Sequence, residues 1–172
     1  DMFVFFLFWE LELIPAYFLI DGKWREEDET QQEKAKKSAV KYVLFTFLGS
    51  MIMLLGILLL HYYNFIANGI LSANFADIVD SAIPDYIQNL IAICLLIGFG
   101  VKLPIVPLHT WLPDAYAEAP SLTSGMLSGA LCTCALYVMM RNLVILLPTA
   151  GAELMGSMVL FFAILTVAIA VP

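Results

Sequence analysis

Three ionisable residues in this sequence stand inside stretches that are otherwise apolar. Glu10 and Glu12 interrupt the first stretch, and Lys102 follows a long, almost wholly apolar run. Burial away from water favours the neutral form of either kind of side chain, so a buried glutamate or lysine can exchange protons near neutral pH. Such residues normally face a protein interior or a hydrated path. The pattern predicts a proton pathway, alongside two plainer interpretations: a glutamate satisfied in a structural role, and a lysine that extends to the membrane surface.

Two prolines follow Lys102 closely. Pro104 and Pro107 remove backbone donors, so they should break the helix and leave carbonyl groups free inside a bundle. Broken helices beside an ionisable residue recur in ion-pathway proteins. His109 comes shortly after Pro107, where a histidine serves either as a proton relay or as a hydrogen-bonding group at a helix end. We therefore predict a helix that bears the lysine and is broken over residues 102–107.

The composition indicates which solvent surrounds these residues. Hydrophobic residues make up 62% of the 172 residues, charged residues make up 13%, and the mean hydropathy is +0.90. Soluble domains are about 45–50% apolar and about 25% charged, so lipid must cover part of this surface. The formal net charge is −7 and the basic residues are few, which gives no indication of nucleic-acid binding. We expect an integral, multi-pass membrane protein.

Five apolar stretches are long enough to cross a bilayer as helices. A hydrocarbon core of about 30 Å needs roughly 20 helical residues, and backbone groups in lipid must bond to one another. The predicted fold is therefore an all-α bundle of transmembrane helices, in one domain over residues 1–172. Its helices are expected at about 2–20, 39–65, 86–108, 122–147 and 154–171. Because both ends of the sequence adjoin apolar runs, we expect a fragment of a longer subunit.

The basic residues indicate the orientation of the bundle. Six of the eight Lys and Arg residues fall between Lys23 and Lys41, and positively charged loops lie on the cytoplasmic side of a membrane. Loops 21–37 and 109–121 should therefore face the cytoplasm or its equivalent compartment. The segment 67–85, which has no basic residue, should face the opposite side.

The sequence lacks the motifs that hold cofactors. It contains no glycine-rich nucleotide fingerprint, no P-loop and no cysteine cluster for an iron–sulfur centre. Cys94, Cys132 and Cys134 lie in apolar stretches without the spacing of a metal or disulfide framework, which favours buried, inert thiols. We therefore expect no redox cofactor on this chain.

Four segments resemble a known family of respiratory proteins. FWELELIPAYFLI at 8–20 is similar to the glutamate-bearing fifth helix of chain M, also called chain 4, of NADH–quinone oxidoreductase. KYVLFT at 41–46 resembles the start of the next helix, and KLPIVPLHTWLPDAYAEAP at 102–120 resembles the broken seventh helix and the loop after it. Residues 124–141 run in register with the eighth helix. By this resemblance the chain covers helices five to nine of a proton-translocating, antiporter-like subunit of respiratory complex I.

The resemblance implies a fourteen-helix fold of two inverted five-helix repeats, placed among other membrane-arm subunits in the lipid bilayer. In that family a glutamate on helix five pairs with a lysine on helix seven, and their charges couple to a proton route. By motif position these residues are Glu10 and Lys102, while His109, Asp114 and Glu118 match the following loop. NADH, flavin, iron–sulfur clusters and quinone are then expected on partner subunits. The implied location is a bacterial or archaeal plasma membrane, or an energy-transducing organelle membrane.

Two positions depart from the family pattern. The family usually carries a mid-membrane lysine on helix eight where this sequence has Thr133, and a histidine where it has Tyr116. Threonine can hydrogen-bond a water but cannot hold a proton for transfer, so the relay would run through waters, use another residue or be impaired. Subunits of multisubunit sodium/proton antiporters and membrane-bound hydrogenases share these helices. Three hypotheses follow: a complex I pump subunit, an antiporter or hydrogenase subunit, and a scaffold that no longer pumps.

Overall fold

The computed structural model describes residues 2–22, 28–69, 83–146 and 150–170, and within these ranges it contains helices and turns but no strand. The predicted all-α class is confirmed. The helices are α1 (Met2–Leu11), α2 (Leu13–Asp21), α3 (Glu29–Asn68), α4 (Asp85–Lys102), α5 (Leu112–Glu118), α6 (Ser121–Met126), a π segment (Leu127–Leu131), α7 (Cys132–Leu146) and α8 (Ala150–Ala170).

The first predicted helix is interrupted at Glu12, between α1 and α2. Pro15 lacks the N–H that would bond to the carbonyl of Leu11, and its ring crowds that carbonyl. Hydrogen bonds continue on both sides, because the Glu12 amide donates to the Phe8 carbonyl at 3.3 Å and the Ala16 amide donates to the Glu12 carbonyl at 3.1 Å. The interruption therefore falls at the glutamate pair without unravelling either helix.

Helix α3 is longer than the bilayer requires. Its 40 residues span about 60 Å, roughly twice the thickness of the hydrocarbon core. The prediction of a connecting loop over 21–37 is corrected here, because α3 already begins at Glu29. The extension is rich in Glu, Gln, Lys and Ala, which favour helix, and Lys37 pairs with Glu33 one turn earlier at 2.8 Å. Residues 23–27 lie outside the described ranges.

Helices α3 and α4 approach closely because glycines line their contact. A Cβ atom added at Gly98 would lie 2.4 Å from the Cβ of Met53, and one added at Gly49 would lie 2.8 Å from the Cβ of Val101. In a membrane, lipid solvates apolar side chains as well as a neighbouring helix does, so the hydrophobic effect does not hold helices together. Small residues instead let the two backbones approach and pack closely. This packing fixes α4, and with it Lys102, against the middle of α3.

Helix α4 ends at Lys102 instead of reaching residue 108, so the predicted helix break is confirmed. Turns follow, and the predicted loop 109–121 contains the short helix α5. The prediction of a loop is therefore wrong over Leu112–Glu118, which is helical. Pro113 is compatible with this helix because it lies in the first turn, where its missing N–H costs no helical hydrogen bond.

The helix predicted over 122–147 is observed as α6, the π segment and α7 in succession. Single π turns inside helices often occur at functional sites, because they widen the helix locally. Four helical stretches among the described residues are long and apolar enough to cross a membrane, namely Met2–Asp21, Glu29–Asn68, Asp85–Lys102 and Ser121–Asn142. In α8 the apolar portion is the shorter Gly156–Ile169. The chain is a multi-pass integral membrane protein.

Candidate functional site

The side chain of Lys102 is buried at the end of α4, with an exposed fraction of only 1%. Its ammonium group donates to the Glu12 carboxylate at 2.6 Å and to the backbone carbonyl of Trp9 at 3.0 Å. The same nitrogen lies 4.0 Å from the centre of the Trp9 ring, close enough for a cation–π interaction. The three contacts satisfy a charge that would be costly to bury alone.

The ion pair uses a different glutamate from the one that the family resemblance indicates. Lys102 bonds to Glu12, whereas Glu10 hydrogen-bonds to the Ser50 side chain of α3 and interacts electrostatically with Lys102. Within the described part of the chain, the Oε1 atom of Glu10 is buried without a hydrogen-bond partner. We expected Glu10 and Lys102 to approach each other or to share a polar cavity; in the structure Glu12 makes the direct contact with Lys102.

The carbonyl groups freed by the helix break find other donors. Pro104 has no N–H to offer the Gly100 carbonyl, and the amide of Ile105 bonds there instead at 2.9 Å. The indole N–H of Trp111 donates to the Val101 carbonyl at 2.8 Å. The thiol of Cys132 is 3.8 Å from the Lys102 carbonyl, in the range of a weak S–H donor. The break is thus stabilised by specific hydrogen bonds, which fix the position of Lys102 in the bundle.

The turn after the break is anchored to α3 and α8. Trp111 is fully buried and its ring centre lies 5.0 Å from that of Tyr42 on α3. Nearer the surface, Lys41 of α3 forms an ion pair with Asp114 of α5 at 2.6 Å. The Val106 amide donates to the hydroxyl of Thr166 on α8 at 3.1 Å. These contacts fix the broken helix to its neighbours on both sides.

The other two predicted pathway residues do not join the ion pair. His109 lies in the turn that precedes α5, and its Nδ1 atom is buried without a hydrogen-bond partner among the described residues. Thr133 is exposed on α7, and its neighbour Cys132 is the residue that reaches Lys102. Of the three cysteines only Cys94 is buried, so the prediction of three buried thiols is wrong for Cys132 and Cys134.

Tyr116, which stands where the family usually has histidine, hydrogen-bonds to the side chains of Cys132 and Ser128. Burial and the neighbouring Cys132 raise the pKa of Tyr116 to about 12. The phenol therefore stays protonated at physiological pH and acts as a hydrogen-bonding group. It links α5 to the π segment and to the start of α7.

Glu12 also faces a cavity of about 180 Å³ between α2, α6 and the π segment. The lining is mainly apolar, with Thr123 as its second polar residue. The His, Cys, Asp and Glu side chains in the described ranges do not gather into a group that could hold a metal ion. The site is suited to holding and moving a proton between carboxylate and ammonium groups.

The sequence did not mark three residues as contacts of Lys102. Glu12 was visible as a second carboxylate two residues from Glu10, but the resemblance marked Glu10 as the partner. Trp9 and Cys132 gave no signal, because aromatic and thiol side chains in apolar runs usually serve packing. Their role follows from a helix break whose exact geometry the sequence does not specify.

The fold is a multi-pass membrane bundle in which a buried lysine at a broken helix pairs with a carboxylate, an arrangement that recurs in ion-pathway membrane proteins. The chain belongs to the family described as NADH:quinone oxidoreductase/Mrp antiporter, TM, which matches residues 1–171.

Curated relatives agree with this assignment. The chain is 37% identical over 153 residues to NADH-quinone oxidoreductase subunit M of Pseudomonas aeruginosa. The aligned residues cover 89% of this chain and 30% of the relative. It is 39% identical over 156 residues to NAD(P)H-quinone oxidoreductase chain 4 of Prochlorococcus marinus, covering 89% of this chain and 26% of that relative. The chain therefore spans less than a third of the length of these relatives.

Two solved structures share the fold. A chain of respiratory complex I from Thermus thermophilus with bound NADH superposes with a TM-score of 0.77 at 26% identity, over 96% of this chain and 33% of the other. A chain of the membrane-bound sulfane sulfur reductase, an archaeal respiratory membrane complex, superposes with a TM-score of 0.81 at 28% identity, over 97% and 32%.

Proposed function

We propose that this chain is part of a proton-translocating membrane-arm subunit of a complex I-type oxidoreductase, in which NADH or a related donor reduces quinone on other subunits. The observation that carries the proposal is the ammonium group of Lys102, 1% exposed at a broken membrane helix and 2.6 Å from the Glu12 carboxylate. Buried ion pairs contribute little net stability because both charges must leave water. Ionisable groups at membrane depth are therefore explained best by function.

The coupling works through the charges of Lys102 and its two carboxylates. When a carboxylate takes up a proton, Lys102 loses a counter-ion and holds its own proton less tightly. A change of charge elsewhere in the full subunit also alters how tightly Lys102 holds its proton. This chain's residues hold and pass protons, while the redox chemistry belongs to other subunits.

His109 and Thr133 extend the proposed route beyond the ion pair. His109 lies on the side that the basic residues predict to be cytoplasmic, and its Nδ1 atom, buried without a hydrogen-bond partner among the described residues, suits proton exchange there. The hydroxyl of Thr133 would order water at the exposed face of α7, towards the remainder of the longer subunit.

A second candidate is a subunit of a cation/proton antiporter or of a membrane-bound hydrogenase-type complex. The superposition on a chain of the sulfane sulfur reductase, with its TM-score of 0.81, favours a place in this wider group. The ion pair would serve the same proton step in either setting. A scaffold without a pump is the third possibility, and a proton-uptake measurement separates it from both.

The test compares two lysines in the assembled complex. Lys102→Met removes the buried charge and keeps the length of the side chain, so we expect proton uptake into inverted membrane vesicles to fall strongly. Lys41→Met is the matched control, because Lys41 is 37% exposed and its partner Asp114 is 49% exposed. The proposal is wrong if both variants take up protons at the parent's rate while quinone reduction proceeds.

Thr133 is tested by two substitutions in the same vesicles. Thr133→Val keeps the shape and removes the hydroxyl, so we expect less proton uptake per electron. Thr133→Lys restores the family pattern and should preserve or raise uptake. Parent-like uptake by the valine variant would make Thr133 a packing residue and would place the route away from α7.

A further inference from the structure

Lys102 interacts with two carboxylates that have different surroundings. Glu10 bonds to Ser50 on α3, whereas Glu12 lines the cavity against α6 and the π segment. Both carboxylates interact with the ammonium group of Lys102, and Glu12 is the one bonded to it. One lysine therefore interacts with a carboxylate whose Oε1 atom is buried and with a carboxylate that lines a cavity.

The two carboxylates also differ in access. The side chain of Glu12 is 36% exposed and lines the cavity, while Oε1 of Glu10 is buried. The titratable groups that interact with Glu12 are few: Glu10, Tyr42, Lys102 and Cys132. The lining from α6 and the π segment contributes no charged residue. A proton that arrives through the cavity meets Glu12 first.

We propose that Glu12 is the proton-exchanging carboxylate of this site, and that it alternates with Glu10 as the partner of Lys102. A hydronium ion in the cavity transfers its proton to the Glu12 carboxylate, which leaves water and a neutral carboxylic acid. The ion pair then breaks, and the ammonium group turns towards Glu10, whose Oε1 atom has no hydrogen-bond partner among the described residues and can accept a bond from it. Loss of the proton from Glu12 restores the original pair. The inference rests on the proposed function and assigns the first proton-binding step to a residue that the family resemblance does not mark.

The experiment uses the assembled complex in inverted vesicles, with the amount of complex measured for each variant. Glu12→Gln keeps the shape and hydrogen bonding of the side chain but cannot bind a proton, so we expect most proton uptake to be lost. Glu12→Asp keeps a carboxylate one methylene further from Lys102, so uptake should be retained with a shifted pH profile. Glu33→Gln is the control, because Glu33 is 68% exposed on the polar extension of α3.

A second readout separates proton binding from a structural role. Infrared difference spectra between low and high pH should show a carboxylic-acid carbonyl band that disappears in Glu12→Gln and moves in Glu12→Asp. If Glu12→Gln does not assemble, the aspartate variant decides, and a parent-like pH profile together with an unchanged band would overturn the inference.

The outcomes also distinguish the inference from the proposed function. Parent-like uptake in Glu12→Gln, with uptake lost in Glu10→Gln and Lys102→Met, would overturn the role of Glu12 and leave the proposed function standing. Parent-like uptake in all three variants would overturn both.

Discussion

The hydrogen bond from the Trp111 indole to the Val101 carbonyl should hold the broken helix closed. Trp111→Phe keeps an aromatic ring beside α3 but leaves that buried carbonyl without its donor. An unsatisfied buried carbonyl costs about 1–3 kcal/mol, and no amide replaces the indole, because the Ile105 N–H is bonded to the Gly100 carbonyl. The turn should therefore open more often in the variant than in the parent.

Hydrogen exchange measured by mass spectrometry on the purified complex gives this opening directly. A loss of about 1–3 kcal/mol corresponds to roughly 5- to 150-fold faster exchange. The acceleration is expected at the amides of Ile105 and Leu108, which are both bonded within the turn. Exchange elsewhere along α4 should change little, because local openings are confined to cooperative units.

Trp9→Phe is the matched control for this experiment. Trp9 is also buried, but its indole nitrogen has no hydrogen-bond partner in the described ranges. Its replacement removes ring area and weakens the cation–π contact, without freeing a carbonyl of the turn. Unchanged exchange at Ile105 and Leu108 in Trp111→Phe, or equal acceleration in both variants, would refute the role given to the indole bond.

Two further predictions concern packing and surface charge. Gly98→Ala places a Cβ atom 2.4 Å from that of Met53, so we expect a cost of about 1–3 kcal/mol, seen as less assembled complex and faster thermal inactivation. Gly125→Ala, whose added Cβ meets nothing within 4 Å, is its control, and equal behaviour of the two variants would contradict the close packing. Asp114→Asn removes the partly exposed ion pair with Lys41, so the stability of the complex should change by less than about 1 kcal/mol. A larger loss of heat resistance that does not depend on salt concentration would contradict this and would show that the ion pair anchors α5.

The helix break could be predicted from the sequence because its cause is local. Pro104 removes a donor wherever it stands in a helix, and two prolines after an apolar run leave few other conformations. The apolar lengths likewise predicted helices that cross the membrane. Helix ends were less predictable: the start of α3 at Glu29 depends on helix propensity and on side-chain pairs beyond the bilayer, which hydropathy does not report.

The partner of Lys102 could not be predicted from spacing. The sequence alone did not rank Glu10 and Glu12, and the resemblance favoured Glu10. Which carboxylate reaches the lysine depends on how α1 and α2 pack against α3 and α6. Contacts such as the Trp111 indole with the Val101 carbonyl depend on the same three-dimensional detail.

The most direct test of proton translocation through Lys102 is a count of protons moved per electron pair. The purified parent complex and its Lys102→Met variant would be placed in liposomes, with proton movement and quinone reduction recorded together. We expect the variant to move fewer protons per electron pair, because the charge that couples the two carboxylates is gone. A variant that keeps both the parent's ratio and the parent's rate would contradict a proton route through the Lys102 ion pair.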